Sequence, residues 1–377
     1  MKSFFAALAL VAAMAAASPV SSPVSSSVSR PVPSASPVTT ERKSTSPIQL
    51  KLVRTGNTGI KAHFTNCGNS SLKLFTPGTI LDSTPVEKLA VYKGNMRIPF
   101  EGIRLRLAPP ELITNASFRI FQPNETAEFN FNFGKWHDVS QGGHFNVTSM
   151  GGIPYATENS TAFEGYLGYN SNTLLIDSVN GTEASIAKRA FEKKAKRTAV
   201  QGDCKGTQAQ AVADALTHCT NLAKDASRSA MLDKNKTFEF FKTNDDTARK
   251  AISAVFTKVA NECASRVTAG SVSKLYCTDI YAACKPGVLA YTVPSVALMV
   301  NCPLYFTALT PLTKSCHGQD QATTTLHEMT HLVQIKGTLD WGVYGYDGIR
   351  KLTSAQNQNH ADTYCLFANS VNLGKAC

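Results

Sequence analysis

The placement of cysteine constrains this chain more than any other feature. Nine of its ten cysteines fall after residue 200, at positions 204, 219, 263, 277, 284, 302, 316, 365 and 377; only Cys67 precedes them. In an oxidising compartment that density means disulfides, so residues 198–377 are expected to fold as a cross-linked unit with at least one thiol left over, nine being odd. The beginning of the sequence supplies the compartment. Lys2 is followed by an unbroken apolar run from Phe4 to Ala17 that ends in Ala15-Ala16-Ala17. This pattern reads as a secretory signal, residues 1–17, cut after Ala17. The run is shorter than the ~20 residues a membrane helix needs, and no later stretch reaches that length. A soluble, secreted, extracellular protein without a membrane partner is expected.

Residues 18–197 have a different texture. Six of the seven Asn-x-Ser/Thr sequons (Asn69, Asn115, Asn124, Asn146, Asn159 and Asn180, against Asn235) precede residue 190, marking a glycoprotein. Residues 18–47 are a Ser/Pro/Val-rich linker. From Ile48 onward, IQLKLV, SFRIF and AEFNFNF alternate apolar and polar side chains between turn residues, predicting a small antiparallel β domain over 48–175. His63, His137 and His144 are scattered there and form no ligand cluster. The basic run 187–197, AKRAFEKKAKR, ends in the dibasic pair Lys196-Arg197. It lies where the sequons end and the cysteines begin, and predicts a junction cut after Arg197 by a processing protease, with 18–197 as propeptide. The charge agrees with the division. Of the formal +11, +7 lies in residues 18–197 and only +3 in 198–377, so no basic stripe remains downstream and no nucleic-acid partner is expected.

The chemistry lies in QATTTLHEMTHLVQI, residues 321–335, which is helical in texture and contains His327-Glu328-Met329-Thr330-His331. Histidines at i and i+4 share a helix face and can hold one zinc ion, while the intervening glutamate can take a proton from the attacking water. A third ligand must come from elsewhere. The HExxHxxGxxH continuation fails, because Gln334 and Gly337 occupy its last two marked positions. A downstream glutamate fails too, because none follows Glu328. Asp340, Asp347, His360 and Asp362 remain as candidates.

The stretch Gly337-Thr338-Leu339-Asp340, followed by Tyr344-Gly345, resembles the GTxD and Tyr-Gly signature of the deuterolysins, the aspzincin group of fungal zinc endopeptidases. DQATTTLHE, NCPLY and ADTYCLFANSVNL are similar to the same family, over residues 198–377, and the upstream part looks like its propeptide. The resemblance implies one zinc per chain, held by His327, His331 and Asp340, with Glu328 as general base. It implies a catalytic tyrosine at Tyr305, able to donate to the developing oxyanion. Asp362 then stands behind a ligand histidine and fixes its tautomer. The family layout would pair Cys204 with Cys277, Cys284 with Cys302 and Cys316 with Cys377. Cys219 and Cys263, on two helix-like segments, are candidates for a fourth bridge, and Cys365 is expected as a buried free thiol. The sequence departs from the family at one point: Trp341-Gly342-Val343 place three residues, not two, between Asp340 and the tyrosine, which leaves Tyr344, Tyr346 or neither to take its place. Cys67 is considered as a thiolate cap on the metal in the uncut chain.

The expected fold class is α+β. Amphipathic helices are predicted over 207–227 and 245–268, strands at KLYCTD, VLAYTV and ALMVNCP, the metal helix over 321–335 and a last helix over 353–371. The resemblance implies a largely helical zincin-like mature domain with a small sheet, monomeric after maturation. It also implies endopeptidase action on protein and peptide substrates, including basic proteins such as histones and protamines. A catalytically dead binding protein would not need Glu328, both histidines and Asp340 together. A zinc hydrolase of non-peptide bonds would, and the motif alone does not separate the two.

Overall fold

The computed structural model describes residues 46–196, 202–265, 273–374 and 377. The signal segment, most of the linker and Arg197 lie outside the described residues.

Residues 46–196 form three antiparallel sheets. Ile48–Arg54, Gly59–Asn66 and Thr126–Asn132 make the first. The second is ordered Gly165–Asn170, Met150–Ala156, Leu72–Phe75, Phe118–Phe121, and the third Leu174–Val179, Gly143–Thr148, Ala90–Lys93, Met96–Arg97. Alternate side chains of Ile48–Arg54 and Gly59–Asn66 turn inward, as a period of two requires. Leu50, Ile60, Phe64, Phe121, Phe145 and Val147 meet in one apolar core. The strands run slightly past the expected 48–175, to Val179, and a helix, Gly181–Lys196, follows and carries the basic run. No disulfide lies in this region among the described residues, and Cys67 is exposed.

Residues 202–377 are built on helices Thr207–Leu232 and Asp246–Ala264, which pack side by side and are joined by the Cys219–Cys263 disulfide. Their apolar stripes share a core with Leu326, Tyr364 and Phe367. Asp233 caps a further helix, Lys234–Phe241, that the pattern reading missed. Disulfides Cys204–Cys277, Cys284–Cys302 and Cys316–Cys377 complete four bridges, and Cys365 is a buried free thiol. The predicted last helix, 353–371, divides into Ser354–Asn357 and Ala361–Leu373. His360 sits between them in an extended conformation.

The sheet behind the metal helix has four strands, ordered Lys274–Tyr276, Leu298–Asn301, Val288–Val293 and Arg104–Leu107. The first two run parallel and the remaining pairs are antiparallel. The fourth strand comes from the upstream region, where the sequence suggested a separate β domain. Two apolar clusters cross the same boundary. One joins Ile103, Leu105 and Phe191 to Tyr281 and Tyr291, the other Phe75 and Ala108 to Leu289 and Tyr305.

Candidate active site

The metal helix spans Gln321–His331. It starts in a capping box: Asp320 accepts from the Thr323 backbone N–H at 2.6 Å, while the Thr323 hydroxyl bonds back to the Asp320 N–H at 3.1 Å. Every residue of the helix is buried, because it lies against the sheet and the helices Thr207–Leu232 and Ala361–Leu373. The helix ends four residues before the predicted 335. Gly337 there takes φ 70°, and its N–H closes on the Leu332 carbonyl at 3.0 Å. That left-handed residue turns the chain back towards the metal face.

The turn has two chemical consequences. The Thr338 carbonyl accepts from His331 Nδ1 at 2.9 Å, so that nitrogen carries the proton and Nε2 presents its lone pair. Asp340 then points inward, with Oδ1 3.3 Å from His327 Nε2 and 3.4 Å from His331 Nε2, while the two Nε2 atoms are 3.1 Å apart. Ligands ~2.0 Å from one ion at tetrahedral angles stand roughly 3.3 Å from each other. Asp340 Oδ1 is buried without a hydrogen-bond donor, as is Glu328 Oε1. Two imidazoles and a carboxylate, with orphaned oxygens facing inward, fit a zinc ion. Burial opposes ionisation of Asp340, but the His331 and His327 rings outweigh it and hold the carboxyl well below its usual range.

The other candidate ligands are placed elsewhere. Asp347 is exposed. His360 Nε2 donates to the carbonyls of Asp340 (2.9 Å) and Val343 (3.0 Å), so it shapes the ligand loop. Asp362 Oδ1 lies 3.3 Å from His327 Nδ1, the nitrogen away from the metal face, and Oδ2 accepts from the Gly345 N–H at 2.6 Å. Glu328 Oε2 accepts from the Thr292 hydroxyl at 2.5 Å, and burial lifts this carboxyl to about 7.

The tyrosines separate clearly. Tyr305 is wholly buried, and its hydroxyl bonds to the Gln321 carbonyl and the Thr325 hydroxyl, each at 3.1 Å. It braces the first turn of the metal helix and makes no bond to Glu328, the histidines or Asp340, which departs from the expected oxyanion role. Tyr346 bonds Glu239 at 2.7 Å and stacks on His317. Tyr344 stands at the site. Burial, followed by the nearby Asp340 and Asp362 carboxylates, raises its phenol well above the usual value. Trp341 (φ 53°) and Gly342 (φ 65°) are consecutive left-handed residues in the loop that carries the extra position. Cys67 does not cap the metal, because its exposed thiol faces Gln49 at 3.7 Å.

An upstream side chain does reach the site. Arg106, 1% exposed, pairs with Asp362 and lies 3.1 Å from His327 Nδ1 and 3.7 Å from Cys365 Sγ. Burial opposes the charges of this pair, but each partner stabilises the other, holding Asp362 well below and Arg106 above their ordinary values. Tyr344 donates to the Leu105 carbonyl at 3.3 Å. A cavity of about 530 Å³ beside this strand is lined by Asp340, Trp341, Tyr344, Arg97, Arg104 and Leu105. The sequence reading missed this contribution. The alternation in Arg104-Leu105-Arg106-Leu107 was its only local trace.

Comparison with known proteins bears on this centre. The model of the deuterolysin metalloprotease (M35) family matches residues 24–375. A neutral protease 2 homolog of Colletotrichum graminicola is 44% identical over 338 residues, 89% of this chain and 95% of that protein. Another, from Phaeosphaeria nodorum, is 42% identical over 87% of this chain and 92% of its own length. A zinc peptidase from Grifola frondosa aligns with TM-score 0.36 at 18% identity, over 44% of this chain and 97% of that one.

Proposed function

Since the chain belongs to the deuterolysin metalloprotease (M35) family and is a metalloendopeptidase, we propose that it is a secreted zinc endopeptidase made as a zymogen. His327, His331 and Asp340 hold one zinc, and Glu328 is the general base. The convergence of His327 Nε2, His331 Nε2 and Asp340 Oδ1 within 3.4 Å of one another carries this reading. Zinc held there supplies Lewis acidity, polarising the scissile carbonyl and acidifying water.

The remaining work falls to side chains. Glu328, lifted by burial to about 7, is poised to take a proton from the attacking water and return it to the leaving amine. Thr292 holds one of its oxygens and leaves the other unpartnered. Tyr344, whose phenol is held above its usual value by burial, offers a hydrogen bond to the developing oxyanion; we assign it the role that the family resemblance implied for Tyr305. Asp362 fixes His327 from behind, as the Thr338 carbonyl fixes His331.

In the same proposal residues 1–17 are the signal, 18–197 the glycosylated propeptide removed after Arg197, and 198–377 the mature, monomeric, largely helical zincin-like enzyme. Four disulfides support an extracellular working place. Protein substrates are expected to include basic ones such as histones and protamines. An acidic side chain at the centre, Asp362, already pairs with an arginine.

The test is zinc content and casein hydrolysis of the secreted protein beside Glu328→Gln. One zinc in each, with hydrolysis lower by about 10²–10⁴-fold in the variant, is expected. Zinc in both and cleavage by neither would reject the endopeptidase reading.

A further inference from the structure

We propose that Arg104–Leu107 is a pseudosubstrate strand. It closes the active site of the uncut chain, and the sheet edge it covers is a docking surface for an extended peptide with arginine at the position of Arg106. The inhibitory meaning rests on the peptidase reading above; the docking surface does not.

Three observations converge. The strand pairs antiparallel with Val288–Val293, setting Leu105 opposite Tyr291 and Arg106 opposite Ala290, and the Ala108 N–H extends the contact to the Gly287 carbonyl at 2.8 Å. Adding a strand to an exposed edge is a general way to hold an extended peptide through its backbone. Second, the Leu105 carbonyl is held by the Tyr344 hydroxyl at 3.3 Å, so a backbone carbonyl lies where the oxyanion-stabilising phenol points. Third, Arg106 is buried without need from its own region. An ion taken out of water costs several kcal/mol unless paired, and its carboxylate partner, Asp362, lies across the boundary behind the ligand His327. The guanidinium is matched to the metal centre alone. While the strand is seated, no other chain can occupy that edge.

The experiment compares the intact, uncut chain carrying Arg106→Ala or Arg106→Lys with wild type. Arg119→Ala serves as control, since Arg119 pairs with Glu125 inside the upstream region and lies outside this strand and the cavity. Two readouts are taken: casein hydrolysis by the uncut chain, and binding of a fluorescein-labelled hexapeptide of sequence Ile103–Ala108 with chelator present. Arg106→Ala is expected to raise hydrolysis by the uncut chain about tenfold or more and to admit the labelled peptide, while wild type and Arg119→Ala do neither and Arg106→Lys falls between. A soluble Arg106→Ala chain as latent as wild type that excludes the peptide would overturn the proposal. If that variant is not secreted, the hexapeptide is added to the processed enzyme from the culture. Inhibition that is lost when its second arginine becomes alanine supports the proposal; no inhibition overturns it. Peptide binding by Arg106→Ala without casein hydrolysis by any form would leave the docking surface standing and reject the peptidase reading.

Discussion

The upstream and C-terminal regions solve the stability problem by different means. Residues 46–196 rely on sheet pairing, one apolar core of their own and two clusters shared with the C-terminal region, with no covalent bridge among the described residues. Residues 202–377 have four disulfides, and three of them close loops spanning 44 to 73 positions. His327, His331 and Asp340, the proposed zinc ligands, and Glu328 belong to the cross-linked region, while the other lends a strand and one arginine.

Reduction should break that contrast most severely. Each bridge contributes ~2–4 kcal/mol by constraining the unfolded chain. With a phosphine reductant, the thermal transition of the C-terminal region is expected to fall by tens of degrees. Signals from the upstream region, such as Trp136 fluorescence, should move much less. Equal shifts in both would mean that the two regions unfold as one cooperative unit and that the bridges serve the whole chain.

Asp362→Asn tests the boundary itself, because Asp362 serves both regions. In the uncut chain it leaves the Arg106 charge buried and unpaired, a loss of about 3–5 kcal/mol. Once the upstream region is gone, that cost disappears. What remains is the looser His327, expected to weaken zinc binding by about 10–100-fold. Melting of the uncut variant beside the double variant Arg106→Leu, Asp362→Asn separates the two effects: the double variant should recover most of the lost stability. If it does not, Asp362 acts chiefly through His327 and Gly345.

The sequence exposed one side of this boundary and hid the other. His327, Glu328 and His331 are spaced by helix geometry, and Gly337 by the need to turn, so both were readable locally. Spacing left Asp340, Asp347, His360 and Asp362 open as the third ligand, and only the GTxD resemblance singled out Asp340; the fold puts Asp347 in solvent and turns His360 onto backbone carbonyls. Tyr305 looked catalytic from its motif, yet packing spends its hydroxyl on the helix start. Arg106 was invisible because strand pairing over long sequence separation depends on which edges are left open, and no local pattern records that. A four-residue strand with two arginines reads as a solvated edge until its partner is known.

Acid should sharpen the comparison with the smallest of these effects. His137 is buried upstream, with Nδ1 3.3 Å from the Ile98 carbonyl and 3.1 Å from that of Pro99. Burial lowers its pKa from 6.5 to about 4. The unfolded chain therefore binds this proton first as pH falls, so stability is intact above about pH 6.5 and declines towards pH 4, by roughly 3 kcal/mol in all. Asp340 and Asp362, held well below the usual carboxylate range, work in the opposite sense. Their contribution is complete above about pH 4 and is lost only below it. Between pH 6.5 and 4 the upstream region should loosen first. Hydrogen exchange at pH 7 and pH 4.5 would then show amides of Gly59–Asn66 and Gly143–Thr148 losing protection while those of Thr207–Leu232 keep theirs. His137→Gln should remove much of that difference. If the variant loosens as much as wild type, the acid response lies in other groups and the two regions are held more evenly than their bridges suggest.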